Sequence, residues 1–514
     1  MNRNSPGSPP TEPGGVKDDS PASARTDRWL PFLVADALYL LILFGWTLRL
    51  GPMGEDFVRL PEASAGKGGW FFTVCSGMFH GPSVVWPRLA SLVLLYGVVV
   101  LVFRLSRSIT GGPWWLGSVA AVLFLAHPVK SGAIFTVTGI TALADGLLLL
   151  VAVWVVESSA RGGVGRTLAG WLLPPGIAWI TGQWWTALVL IAGWAWIRQS
   201  TGWGGMRRVL PVTLAILGGA LYSCSWDPMG LFGLLRGGQA WLLVAWPFGL
   251  SADAARFFEA YPAWHAAWSL ITWAGLILLA RHFAGRAAGR LVALSLPVCL
   301  AVGGRLDVQT FEGGGAYIVP VALLALVGAA GFRAQLEHPR FRKRTVAAST
   351  ATCLALMAWH GWISMDWQRA HRLLKQGMAQ AATIPGDETL AVFPDVYRVG
   401  FAPVRLAEAL RCPPPFGPGR DASALVWVEM TPGLTRVVDV PEYGPGGGTL
   451  RIVDVVGAHP WTGYRLEPLP ERPSGPQMLK RILMPQRPRV ASAPAEWRIT
   501  PWREPFPARR VAFP

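Results

Sequence analysis

The sequence predicts a polytopic α-helical membrane protein of about 11 transmembrane helices, with a small α+β extracytoplasmic domain towards its C-terminal end. Three observations predict it. Apolar runs such as Leu92 to Phe103 and Leu143 to Val156 recur along the chain, and with their flanks they approach the roughly 20 residues that cross a bilayer core. Only 15% of residues are charged, against roughly 25% in soluble domains. Basic residues crowd into every second short loop, the pattern of the positive-inside rule. In lipid the backbone must satisfy its own hydrogen bonds, so the runs are read as helices. They do not alternate apolar and polar residues, which a β-barrel requires.

In chain order, residues 1–27 are rich in Pro, Gly, Ser and charge and read as a disordered cytoplasmic tail. A multi-helix transmembrane domain is expected over 28–363. Its candidate spans are approximately 29–48, 86–104, 112–127, 139–157, 168–181, 184–198, 209–225, 264–281, 289–304, 315–334 and 345–363. The fifth and sixth are short and interrupted by Pro174, Pro175 and Gly182. The basic loops hold Arg25 and Arg28, Arg104 and Arg107, Arg161 and Arg166, then Arg198, Arg207 and Arg208. Arg281, Arg286 and Arg290 follow, and then Arg340, Arg342, Lys343 and Arg344. All fall on one side, expected to be the cytoplasm. The expected location is the inner (cytoplasmic) membrane, with the N-terminus inside and the C-terminus outside. The main outer loops are then 49–85, 128–138, 226–263 and 305–314. Many of the 27 tryptophans, Trp114, Trp115, Trp184, Trp185, Trp246, Trp264 and Trp362 among them, lie near span ends, where indoles anchor helices at the interface.

Beyond the last span, 366–384 reads as an amphipathic helix. Strand-like runs follow at Thr389 to Phe393, Ala424 to Val428, Thr435 to Val440 and Thr449 to Val455, separated by turn signals such as Pro445-Gly446-Gly447-Gly448. This places an extracytoplasmic α+β domain over 364–469 and a Pro- and Arg-rich extension over 470–514. Net charge is +16, yet its place in short loops argues for membrane topology rather than nucleic-acid binding. The five cysteines are scattered singly, with no metal-type spacing. No GxxxxGK[ST] loop and no HExxH occurs, which disfavours ATP-driven chemistry and zinc proteolysis.

Candidate chemistry lies in the outer loops. Glu55 and Asp56 adjoin just after span one. Either carboxylate can deprotonate an acceptor hydroxyl, or hold a divalent cation beside a phosphate; a solvated loop start is the plainer reading. His127-Pro128-Val129-Lys130 ends the third span. Its imidazolium and ammonium can donate to a lipid phosphate, or the motif is a helix stop with a snorkelling Lys. In the loop after span seven, Asp253 can cap a short helix and Arg256 can bind phosphate; a solvated loop is again the plainer reading. Arg305, Asp307 and Glu312 precede Tyr317.

The order of these motifs resembles the GT-C glycosyltransferases, in the O-mannosyltransferase-like branch that includes the membrane part of transmembrane-and-tetratricopeptide proteins. The resemblance spans roughly residues 29–410. The family's acidic pair falls on Glu55 and Asp56, its His-Pro on His127 and Pro128, and its Pro-x-x-Leu-Ser-x-Asp on Pro247, Leu250, Ser251 and Asp253. Its late Tyr is similar to Tyr317, and its post-membrane Trp to Trp367. The chain departs from the pattern as well. After His-Pro the family carries a Glu and then a Gly-Arg-acid group, where this chain has Gly132, Gly139, Ile140 and Ala142. A Lys-Glu pair is replaced by Gly182-Gln183, and an Arg by Gly314. The family's aromatic-Arg-Pro order becomes Trp86-Pro87-Arg88, and no tetratricopeptide repeats follow.

The resemblance implies a transferase that moves a sugar from a polyprenyl-phosphate carrier to a protein or glycan acceptor at the outer face. Its partners are membrane lipids, the lipid-linked sugar and the acceptor, with no nucleic acid. Asp56 would be the general base with Glu55 supporting it, and His127, Lys130 and Arg256 would meet the carrier phosphate. Asp253 and Tyr317 would complete the substrate site. The alternative is a catalytically degenerate relative that binds lipid or scaffolds the envelope. A transporter would need polar residues within the membrane, of which Asp145 and Glu157 in span four are the main examples.

Overall fold

The computed structural model describes residues 29–67, 69–79, 83–159, 163–199, 205–223, 238, 240–245, 262–302, 313–340, 342–383 and 402–419, with isolated strands between 389 and 512. Every one of the eleven apolar runs is helical. They are α1 (Leu30–Phe44), α4 (Val85–Thr110), α5 (Trp114–Ala126), α7 (Ile140–Ser159), α8 (Val164–Thr181) and α9 (Trp184–Gln199). There follow α10 (Gly205–Ser223), α11 (Pro262–Ala284), α12 (Arg286–Val302), α13 (Ile318–Leu336) and α14 (Arg342–Ala382). Among the described residues, six helices are long and apolar enough to cross a membrane, or seven if one bent pair is a single span. The protein is therefore a helical, multi-pass membrane protein.

Two differences from the sequence reading concern length. Span five is one helix despite Pro174 and Pro175 inside it; neighbouring helices let membrane helices tolerate such breaks. The last span and the amphipathic helix after it are one element, the 41-residue α14. At 1.5 Å per residue it is about 60 Å long, twice the roughly 30 Å hydrocarbon core, so a substantial part of it projects from the membrane.

Of the expected outer loops, 49–85 and 128–138 are structured where described, while most of 226–263 and 305–314 lies outside the described residues. In 49–85, α2 (Asp56–Ser64) and α3 (Trp70–Cys75) are short helices. The 128–138 segment is buried throughout. It continues from α5 as a 3-10 turn (Pro128–Lys130) and α6 (Ser131–Phe135), bent by 56° from α5. At 13 residues, α5 alone is about 20 Å long, too short to cross, so the bent continuation completes its path into the bundle.

Among the described residues, the basic ends of α4, α9, α11, α12 and α13 lie together at one end of the bundle. Arg198 donates to the Ser108 carbonyl and Arg290 to that of Trp196, while Gln335 donates to that of Phe283. There Glu157 accepts from Ser108, Trp194 and Arg198, so it braces the end of α7 rather than lying mid-membrane. In α1, Asp36 is buried and accepts from Ser118 of α5.

Four strands, β1 (Thr389–Phe393), β4 (Leu425–Thr431), β5 (Leu434–Asp439) and β6 (Thr449–Asp454), match the strand-like runs. With β7 (Tyr464–Pro470), β8 (Pro494–Pro501) and β9 (Arg510–Ala512) they form one sheet of order β7-β8-β5-β4-β1-β6-β9. A separate hairpin pairs β2 (Val396–Val399) with β3 (Ala402–Arg405). After it, α15 (Leu406–Arg411) packs on α14 and α2, so the chain beyond the membrane returns to the outer-loop helices. The tail 1–27 lies outside the described residues.

Candidate functional site

At the end opposite the basic loops, residues far apart in sequence converge. Asp56 opens α2 and is fully buried. Its Oδ2 accepts from the backbone N–H of Met53 (2.8 Å) and Val137 (2.9 Å). Its Oδ1 accepts from the N–H (2.8 Å) and Oγ1 (2.9 Å) of Thr138. An ionised carboxylate offers about four lone-pair sites, and here four donors fill them. Burial raises the Asp56 pKa, while the charge of Arg88 and the three backbone N–H groups lower it. Four donors fit the anion. Asp56 thus clasps the first outer loop to the buried 137–138 turn, with no lone pair left for an acceptor's proton.

Arg88, in the first turn of α4, is the complementary clasp. Its Nε donates to Leu50 O (3.1 Å), Nη1 to Ile134 O (3.2 Å), and Nη2 to Gly51 O (2.8 Å) and Phe135 O (3.0 Å). A planar guanidinium can serve four carbonyls on two segments at once. Neither the Trp86-Pro87-Arg88 motif nor its spacing shows this role. Just after the clasped segment, Gly139 comes so close to the backbone of Ala133 that an added Cβ would lie 2.3 Å from its carbonyl oxygen. The glycine at this position thus has a packing reason.

The His-Pro segment is turned inward. The Val244 carbonyl lies 2.9 Å from His127 Nε2. A carbonyl only accepts, so Nε2 carries the proton, and Nδ1 accepts from Val129 N at 3.4 Å. Lys130 is fully buried rather than snorkelling. Its Nζ donates to Leu125 O (2.6 Å) and His127 O (2.7 Å), between the rings of Phe44 and Phe124. This places the ammonium on the last carbonyls of α5, where the helix dipole favours a cation.

Tyr317 is buried in a 3-10 turn (Gly314–Tyr317) that packs on α6. Trp367 lies in mid-α14 rather than at a helix start, its ring 5.2 Å from that of Phe135. From the next turns of α14, His371 Nε2 accepts from Gly51 N at 3.4 Å. Glu55 faces outward and pairs with Arg59 at 2.8 Å. Asp253 and Arg256 lie outside the described residues, as do Arg305, Asp307 and Glu312.

A carboxylate with unfilled valence on a span at this end is Asp145, six residues into α7. It is half-buried. Trp70 Nε1, from outer-loop helix α3, donates to Oδ1 (2.8 Å), and Gln183 Nε2, from the α8–α9 turn, donates to Oδ2 (3.2 Å). Two of about four lone-pair sites remain. In the sequence Asp145 is simply a polar residue within a span. The available signal was a carboxylate in an apolar helix with no basic residue within a turn of it, which must find polar partners elsewhere. Among the described residues no three His, Cys, Asp or Glu side chains come together as a metal site. The oxygens of Asp56, taken by N–H and O–H donors, are not available to a cation.

No family model, curated protein or solved structure matches the chain.

Proposed function

We propose that the protein is a GT-C-type transferase that takes a sugar from a polyprenyl-phosphate carrier and passes it to an acceptor at the outer face of the cytoplasmic membrane. The observation that carries this reading is convergence. Asp56, His127, Tyr317 and Trp367, whose order in the chain is part of the family resemblance, gather within one end of the bundle together with Arg88 and the rest of the 127–139 segment. A topology of about eleven spans, N-terminus inside, puts that end outside. It also makes residues 364–469 an extracytoplasmic α+β domain whose α15 packs on the outer-loop helices.

In this reading Asp56 and Arg88 are positioning residues, and Asp145 is the general base. The family's acid corresponds to Ala142. Asp145 lies three residues on, hence on the same helix face, and Gln183, standing where the family has a Lys-Glu pair, orients it. Asp145 would take the proton from an acceptor hydroxyl as the oxygen attacks the anomeric carbon, and the lipid phosphate would leave with the bonding electrons. Asp145→Asn should remove sugar transfer in membranes at unchanged protein level. Undiminished transfer by that variant rules out Asp145 as base.

A second reading has its own observation. The filled valence of Asp56 and the inward anchoring of His127 and Lys130 suit a non-catalytic member of the same fold that binds lipid or scaffolds envelope assembly. Lipid-linked sugar pools that are identical with and without the gene would favour it.

A further inference from the structure

At the opposite end, the one we read as cytoplasmic, the turn between α11 and α12 forms an open cavity of about 430 Å³ lined by Trp196, Ile277, Arg281, Arg286, Gly289, Arg290 and Ala293. That volume falls within the ~300–1,000 Å³ of small-molecule sites. Three of its seven lining residues are arginines and none is acidic. The turn is built to bring them together. Gly285 has φ +89° and reverses the chain between Arg281 and Arg286. Gly289 then lies against Arg281, where an added Cβ would come within 2.9 Å of the arginine's own Cβ.

Arg290 is pre-positioned. Its Nη1 donates to the Trp196 carbonyl at 2.6 Å, and its guanidinium lies 5.0 Å from the Trp196 ring. Arg281 and Arg286 are exposed. Above them α11 is the least buried of the candidate spans, and Leu278, Leu279 and Phe283 are exposed along it. A cationic cavity at the membrane surface thus adjoins an apolar helix wall facing the lipid.

We infer that this cavity binds the phosphodiester headgroup of an acidic glycerophospholipid, with the acyl chains lying along α11. Guanidinium forks match phosphate oxygens in geometry and charge, and basic pockets between membrane helices on the cytoplasmic side suit such headgroups. The inference does not depend on the reaction proposed above.

The test uses the full-length protein in neutral detergent, with native mass spectrometry reading retained phosphatidylglycerol against phosphatidylcholine. Arg281→Gln/Arg286→Gln should lower phosphatidylglycerol retention by about 25-fold, near fivefold per arginine. Arg340→Gln/Arg344→Gln, with the same charge change outside the cavity, should leave it as in the parent protein. Equal retention by the cavity variant and the parent overturns the inference, as does equal loss in both variants. Displacement of the lipid by millimolar inorganic phosphate would also overturn it, by assigning the cavity to a soluble anion. The melting temperature of each variant separates loss of the site from loss of the fold.

Discussion

Replacing Asp56 by Asn separates a structural clasp from a catalytic base. The amide oxygen can keep two of the four hydrogen bonds, while the new NH2 group faces donors. Two buried donors lose their acceptor, at about 1–3 kcal/mol each. Arg88, also fully buried, loses the field of the nearby carboxylate but keeps its four carbonyl acceptors. The two orphaned donors dominate, so we expect a total of about 3–5 kcal/mol. At roughly 2 °C per kcal/mol for a chain of this size, Asp56→Asn should melt about 6–10 °C lower. The assay is a thermal melt of purified protein followed by tryptophan fluorescence. Glu55→Gln is the paired control. Its ion pair with Arg59 is exposed and worth at most about 1 kcal/mol, so that variant should melt within about 2 °C of the parent. Equal melting temperatures for the two variants would refute the assignment of Asp56 as a clasp.

Other expectations follow from the same geometry. Gly139→Ala should lower the melting temperature, because its Cβ meets backbone atoms of Ala133 that cannot move aside as a side-chain end would; the same melt reads it. Glu157→Ala leaves Arg198 without its buried partner and should cost about 3–5 kcal/mol, with a melt indistinguishable from the parent counting against it. Trp70→Phe removes one hydrogen bond from a half-buried carboxylate and should cost only about 1 kcal/mol, yet reduce transfer by loosening Asp145. Burial, with the charge of Asp56 adding to it, pushes the Cys412 thiol up to about 11. At pH 8 about one thiol in a thousand is then ionised, so maleimide should label Cys412 in unfolded protein and spare it in the folded protein, as read by peptide mass.

The helices were legible in the sequence because a long apolar run in lipid has few alternatives. The matching strands were legible because β-branched runs between Gly- and Pro-rich turns leave little else. The clasp was not. Glu55 and Asp56 read as a pair because they adjoin, but successive helical residues point about 100° apart, and one faces solvent while the other enters the core. The partners of Asp56 lie 81 and 82 residues further on, a separation that no local pattern encodes. Lys130 carried a usable signal. It is the only Lys or Arg between Trp114 and Thr141, which suits burial better than an interface. Asp145 was passed over because its partners come from the first outer loop and from the α8–α9 turn, and only the folded chain brings these together.

The proposed role of the converged outer end is transfer of a sugar from a lipid carrier. Its most direct measurement is a comparison of lipid-linked sugars and envelope glycans in cells with and without the gene, with Asp145→Asn as a third arm. One glycan should be lost and one polyprenyl-phosphate sugar should accumulate, both in the deletion and in Asp145→Asn. Unchanged glycan and carrier profiles in the deletion would contradict it.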